Sequence, residues 1–371
     1  MKRILILIGV FSLLLALVAM PFLSACASQP APTSKAPAPA TTQAPPPATQ
    51  ASAPKAIELS FAHMFPPQSP EGQVADKWGA KIKEDSKGLL TVRVYPVTTL
   101  LAAPEMYNGV VKGVADIGMA FPYSPEIFTF SSSLPFFLTA PNTAIAAKVY
   151  DDLWKQFPDV LGKEFSPVKP LWLTPSALQT LWTTKRQFKV IDDLKGLQLR
   201  VPSKEMGAVI TALGSTPTYM STADLAVALE KGTVDGCINM HSAVQSNKMT
   251  TLRYALQLKN MSCGLSTPLF AIMNKDSYAK LSPDLQKVID NSLAWGKQLQ
   301  LDTWASNQTN AEKWFTDQGG QFVTLSTDEE AKFAAIYNKA EADAAVALDA
   351  KGMPASAMVK YIQERIQFYL K

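Results

Sequence analysis

The 371-residue chain is poor in side chains that carry chemistry, with three Cys and two His. His63 and His241 are too few for a three-His zinc site. No His-Glu-x-x-His, Cys-x-x-Cys or Gly-x-Ser-x-Gly run is present, and neither is a phosphate-binding Gly-rich loop. The sequence therefore nominates no catalytic residue, no metal site and no cofactor. Charge is sparse as well, at 18% Asp, Glu, Lys and Arg, with a formal net charge of +4. No basic stripe interleaved with aromatics occurs, which argues against a nucleic-acid partner. The acidic pairs Asp151-Asp152 and Glu329-Glu330 read as solvated helix faces. His63 ends a strand and is a candidate ligand contact, against the plainer reading of an ordinary satisfied histidine.

What is present begins with a targeting pattern. Lys2-Arg3 precedes an almost unbroken apolar run from Ile4 to Met20, and Leu23-Ser24-Ala25-Cys26 follows. A span of 17 residues is near the lower limit for crossing a bilayer. The small residues before Cys26 instead fit a lipoprotein signal, so residues 1–26 are expected to be a signal peptide with Cys26 lipidated. Ala27 to Pro54 holds eight Pro among 28 residues and one charge, Lys35. Such a segment cannot bury a core and reads as a disordered tether. Residues 55–371 are long enough for about two domains.

The folded part alternates strands and helices. Ile57–His63 and Leu90–Tyr95 read as strands around a helix that starts at Ser69-Pro70, a pattern suggesting a parallel sheet. Ser282-Pro283 opens a long helix running to Thr316. Thr327-Asp-Glu-Glu330 reads as a capping box for another. Cys237 and Cys263 are expected as two free buried thiols, although an extracytoplasmic disulfide is chemically allowed.

The stretch Asp193–Asn239 organises the rest. Strand Leu197–Val201 carries one charged residue, Arg200, among apolar neighbours. A lone charge there must be paired or reach solvent. Either an internal salt bridge or a ligand carboxylate, held by the guanidinium fork, would satisfy it. An echo links two halves of the chain. Glu105, Lys112-Gly113 and Asp116 repeat the spacing of Asp224, Lys231-Gly232 and Asp235. Each set reads as a helix ended by Gly and followed by a strand. Ligands gather at the carboxyl ends of strands in α/β sheets. Phe121-Pro122-Tyr123 and Asn239-Met240 are therefore expected to face each other across a cleft. Trp172 and Trp182 are further candidates for its wall, against a purely structural role.

Asp-Leu-Lys-Gly-Leu-Gln-Leu-Arg-Val-Pro (193–202), Ala-Leu-Gly-Ser-Thr-Pro (212–217) and Ala-Leu-Glu-Lys-Gly-Thr-Val-Asp-Gly (228–236) resemble the signature of TRAP-type (tripartite ATP-independent periplasmic) solute-binding proteins, the DctP family. FAHMFPPQSPEG, VRVYP, VVKGVADIGMA, LPFF, LSPDLQKVID and WFTDQGG extend the likeness along the chain. The resemblance implies an α/β, two-lobed fold of the periplasmic-binding-protein type (type II, Venus-flytrap) with a long helix spanning both lobes. The first lobe would comprise about 55–177 plus 266–305, and the second about 178–265 plus 306–371. It implies a receptor, not an enzyme, that captures an organic acid through Arg200 and hands it to a permease with large and small membrane subunits. Asn239 falls at a ligand-contacting position of sialic-acid-binding members. Their second arginine corresponds to Thr180 here and their acidic contact to Phe121, which argues against a sialic-acid-like ligand. The expected ligand is a monocarboxylate with an apolar or aromatic body, contacted by Arg200, Asn239, Phe121, Tyr123, Thr180, Trp172 and His63. Two alternatives are a receptor presenting ligand to a sensor kinase and an extracytoplasmic enzyme acting on an organic acid.

Overall fold

A computed structural model describes residues 56–371, apart from residues 98, 265 and 266. The expected signal peptide, Cys26 and the tether lie outside the described residues. Among the described residues no helix is long and apolar enough to cross a membrane.

Eleven strands form two sheets among the described residues: β1 (Ile57–His63), β2 (Leu90–Pro96), β3 (Ile117–Ala120), β4 (Val168–Thr174), β5 (Gln179–Thr183), β6 (Gln198–Val201), β7 (Thr216–Tyr219), β8 (Gly236–Met240), β9 (Tyr254–Gln257), β10 (Leu269–Asn274) and β11 (Gln321–Thr324). The first sheet has the order β2-β1-β3-β10-β4, and the second β7-β6-β8-β5-β9-β11. In the first, β1 runs parallel to β2 and β3, while β10 is antiparallel to β3 and β4. In the second, β6 runs parallel to β7 and β8, while β5 is antiparallel to β8 and β9. Five strands of each sheet thus share one topology, β11 extends the second sheet parallel to β9, and each sheet receives its central antiparallel strand after the chain has crossed from the other.

The sequence echo is the local cause of this likeness. Gly113 and Gly232 both adopt left-handed backbone, with φ of 74° and 67°. That conformation suits Gly and ends each helix. The Asp that follows then ties two strands together. Asp116 accepts from the Ser60 backbone N–H of β1 at 2.8 Å, and Asp235 accepts from the Gln198 N–H of β6 at 2.8 Å.

The long helix Pro283–Asp317 has Ser282 as its N-cap, accepting from the Leu285 N–H. At 1.5 Å per residue it spans about 50 Å. Its buried stripe is Ile289, Ser292, Gly296, Gln300, Trp304, Asn307, Ala311 and Phe315. Steps of three and four keep one face inward. The early part packs on the first sheet, and Phe315 joins the core of the second with Trp182 and Leu225. The helix therefore braces both lobes, as the family resemblance implied.

Apolar side chains from Phe130 to Leu161 share a core with Leu199, Val201, Tyr337 and Met358, on the second sheet's side of the molecule. The N-cap sits one residue earlier than expected, and no capping box closes, because the Glu329 carboxylate is taken by the Ile191 N–H and Lys332. Ser326 is the N-cap and accepts from the Glu329 N–H at 3.3 Å. Glu329 and Glu330 are not a solvated face, since both are buried. Glu329 accepts from the Ile191 N–H at 2.7 Å, and Glu330 from the Asn260 N–H at 2.8 Å. They fasten two loops to the helix Thr327–Asp349. Asp151 and Asp152 are likewise engaged, with Lys297 and Arg365. Cys237 and Cys263 are free and buried.

Candidate ligand site

Arg200 lies in the middle of β6, flanked by β7 and β8. Its side chain is only 7% exposed. Nε donates to the Met220 carbonyl at 3.1 Å, Nη1 to the Ile238 carbonyl at 3.1 Å, and Nη2 to Thr222 Oγ1 at 3.4 Å. All three acceptors are neutral. A guanidinium has five N–H donors in a planar fork, so each terminal nitrogen keeps a second N–H. No carboxylate pairs with it among the described residues; the arginine that does pair with one is Arg365, with Asp152. Cys237 stands opposite Arg200 on β8, but burial pushes its thiol up to about 12, so it is neutral and supplies no counter-charge. Burial lowers the pKa of Arg200, which marks the cost of a desolvated cation without an anion beside it. The internal salt bridge is thereby excluded among the described residues.

Asn239 is held by its strand pairing, with Thr180 directly opposite on β5. Its Oδ1 accepts from the Met240 N–H at 3.0 Å, whereas its Nδ2 is buried with no acceptor. Trp182 supports this strand by donating Nε1–H to the Asn239 carbonyl at 3.0 Å. Trp182 itself is fully buried against Phe315 and His241, so it is core and not cleft wall. Close approach of β5 and β8 depends on Gly236, where an added Cβ would lie 2.0 Å from the Trp182 carbonyl oxygen.

From the first lobe, Phe121 packs edge-on against Phe65 at 6.0 Å and meets Tyr123 at 6.3 Å. Phe65 in turn meets Trp304 of the long helix at 6.4 Å. Met240 of the second lobe packs against the same cluster as Phe65 and Phe121. The two strand ends expected to face each other thus border the same apolar cluster. Tyr123 is 44% exposed and sits at the rim. Trp172 lies deeper, against Trp78 at 5.7 Å and beside Gly296. His63 is fully buried, with Nδ1 accepting from the Phe65 N–H at 3.2 Å. His241 is also buried, its pKa pushed down to about 4 by desolvation, and it packs on Trp182.

Sequence reasoning missed Phe65 and Trp304, and it named Met240 as a strand end at the cleft but not as a side-chain contact. Phe65 was legible only as the residue before a Pro-Pro break. Trp304 was masked by the length of its helix, although it continues the buried stripe that starts at Ile289. A cavity of about 390 Å³ lined by Lys259, Asn260, Glu330 and Gln363 contains none of these residues. The unpaired donor of Asn239 and the free N–H groups of Arg200 lie outside that cavity.

The profile of "Bacterial extracellular solute-binding protein, family 7" (DctP) matches residues 61–345. The chain belongs to this family. It is 25% identical over 272 residues to the 2,3-diketo-L-gulonate-binding periplasmic protein YiaO of Escherichia coli, covering 71% of this chain and 80% of that protein. It is 24% identical to the C4-dicarboxylate-binding periplasmic protein DctP of Rhodobacter capsulatus, over 64% of this chain and 71% of that protein. A solved TRAP solute-binding protein from a marine metagenome, specific for aromatic acid ligands and crystallised with 3-hydroxybenzoate, superimposes with a TM-score of 0.71. It shares 26% identity and covers 85% of this chain and 100% of that one. The DctP-family chain is thus a TRAP-type extracytoplasmic solute receptor with the two-lobed α/β fold, a binding protein and not an enzyme.

Proposed function

We propose that this DctP-family receptor binds a monocarboxylate with an apolar or aromatic body, clamped between its lobes, and delivers it to a TRAP permease. The observation that carries the reading is Arg200: a buried cation, bonded only to neutral oxygens, with one free N–H on each terminal nitrogen. Burying a charge without a partner is costly, and a carboxylate is the group whose two oxygens match a guanidinium fork. Asn239 Nδ2 adds a further unpaired donor from the same sheet. Phe65, Phe121, Trp304 and Met240 supply apolar surface and no second cation, which favours one carboxylate per ligand. The aromatic acids bound by the metagenome relative fit such walls. Phe121 and Met240 come from opposite lobes, so a ligand touching both favours the closed form, as a receptor read by a permease requires.

The test is a thermal-shift screen of organic acids. Aromatic and other apolar monocarboxylates are expected to raise the melting temperature, and to do so more than dicarboxylates at equal concentration. An absence of any shift with every carboxylate would overturn the proposal.

We further propose that Cys26 carries a lipid and that the Pro-rich segment after it lets the receptor reach a membrane partner. Cys26→Ala is expected to release the protein or block its processing. A processed Cys26→Ala protein that stays on the membrane would refute the anchor.

A further inference from the structure

The face of the first sheet that packs on the long helix carries a layer of buried polar groups with no partner. Three contacts fix how the helix lies along this face. Lys169 of β4 pairs with Asp290 at 2.9 Å. Trp172, further along β4, touches the helix at Gly296, where an added Cβ would lie 2.9 Å from the indole. Phe65, just past β1, meets Trp304. The helix therefore advances in the direction of β4, toward the strand ends that face the second lobe.

Gln300 sits between the Trp172 level and the Trp304 level, about one helical turn from each. It is 0% exposed, and neither its amide oxygen nor its amide nitrogen has a partner. Two strand residues border it: Thr174, beyond Trp172 on β4, and His63, which strand register places in the row of Trp172. Thr174 lies two residues beyond Trp172 on β4, hence on the same face of the sheet. His63 lies on β1 between Phe61, which meets Trp172 at 6.5 Å, and Phe65, which meets Trp304. Both are fully buried, and Thr174 Oγ1 and His63 Nε2 are unpartnered. The Nδ1 atom of His63 accepts the Phe65 N–H, so its ring proton is on Nε2. The indole N–H groups of Trp172 and Trp304 are unpartnered too. Buried polar groups in folded proteins are nearly always bonded, so this many in one layer marks a place meant for another molecule's polar atoms.

We infer that this layer is the far end of the ligand site and holds a neutral hydrogen-bonding group, a hydroxyl or carbonyl, at the end of the ligand opposite its carboxylate. The inference deepens the carboxylate reading and rests on it. Phe65 and Trp304 connect the layer to Phe121 and Met240 at the lobe junction. Donors predominate here, and Gln300 and Thr174 can also accept, which suits a hydroxyl. Burial lowers the His63 pKa and keeps the ring neutral. With no cation in the layer, a second carboxylate would be buried uncompensated. The site thus discriminates against diacids and in favour of monoacids that carry a distal hydroxyl or carbonyl.

The experiment measures dissociation constants by calorimetry for pairs differing by one hydroxyl, on the full-length protein and on Gln300→Met. Benzoate is compared with 3- and 4-hydroxybenzoate, and phenylacetate with its 3- and 4-hydroxy forms. The native protein is expected to bind at least one hydroxylated acid about tenfold or more tighter than its parent. In Gln300→Met that ratio is expected to fall to about one. Thr174→Val is a second variant that keeps side-chain shape and should lower the same ratio if Gln300→Met fails to fold. Parent acids that bind while no hydroxyl improves affinity would overturn the subsite and leave the carboxylate reading standing. A ratio unchanged in the variants would do the same. Failure of every acid to bind the native protein would overturn both.

Discussion

Replacing Arg200 by Met is expected to weaken acid binding by about a thousandfold while leaving a folded protein. The native guanidinium offers a ligand one free N–H from each terminal nitrogen. Hydrogen bonds to charged groups are worth about 1.5–3 kcal/mol each, and the ligand carboxylate would in addition stay buried without its cation. At about 1.4 kcal/mol per tenfold, losing two such bonds moves a micromolar ligand to the millimolar range. The stability of the ligand-free protein should respond far less. Among the described residues Arg200 has no carboxylate partner to abandon, and Met refills much of the volume. The neutral oxygens of Met220, Ile238 and Thr222 lose one bond each, which offsets the relief of removing a desolvated charge. Calorimetry for binding and a ligand-free melting curve separate the two effects. A variant that still binds the native protein's acids within tenfold would remove the guanidinium from the mechanism. A variant that loses stability and keeps its affinity would make Arg200 a purely structural residue.

The second large effect concerns Glu341 and pH. This carboxyl on the helix Thr327–Asp349 is fully buried; its Oε2 accepts from Gln363 Nε2 at 2.9 Å, and its Oε1 has no partner. Desolvation pushes its pKa from 4.5 up to about 8. Between those values the unfolded chain has released the proton and the folded chain has kept it. The folded state then binds more protons, so stability falls as pH rises through this window and levels off above it. At about 1.36 kcal/mol per pKa unit, the loss attributable to this one group is of order 4 kcal/mol by pH 8. Glu341→Gln keeps the shape and removes the titration. The variant should match the native protein near pH 4.5 and exceed it at pH 8, with a melting temperature higher by several degrees. Parallel pH profiles for the two proteins would show that Glu341 ionises freely in the folded state.

Much of the local architecture was readable along the chain. The N-cap Ser before Pro at Ser69 and Ser282, the left-handed Gly113 and Gly232, and the strand around Arg200 all follow from backbone geometry within a few residues. The repeated spacing that ends in Asp116 and Asp235 announced two similar units, because each Asp ties one strand to the strand beside it. The limits of local reading show at Glu329 and Glu330. An acidic pair at a helix start satisfies every local rule for a solvated end, yet both carboxylates are buried and hold loops at Ile191 and Asn260.

The sequence by itself determined where the strands, caps and one isolated arginine lie, since those depend on periodicity and on turns closed within a few residues. Only the tertiary structure excluded an internal salt bridge for Arg200 among the described residues, because the absence of a nearby carboxylate is a property of three paired strands and not of any one. It likewise decided that Phe65 meets Trp304 of the long helix. Phe65 and Trp304 are more than 230 positions apart, and what brings them together is the burial of a helix face on a sheet, which no spacing along the chain records.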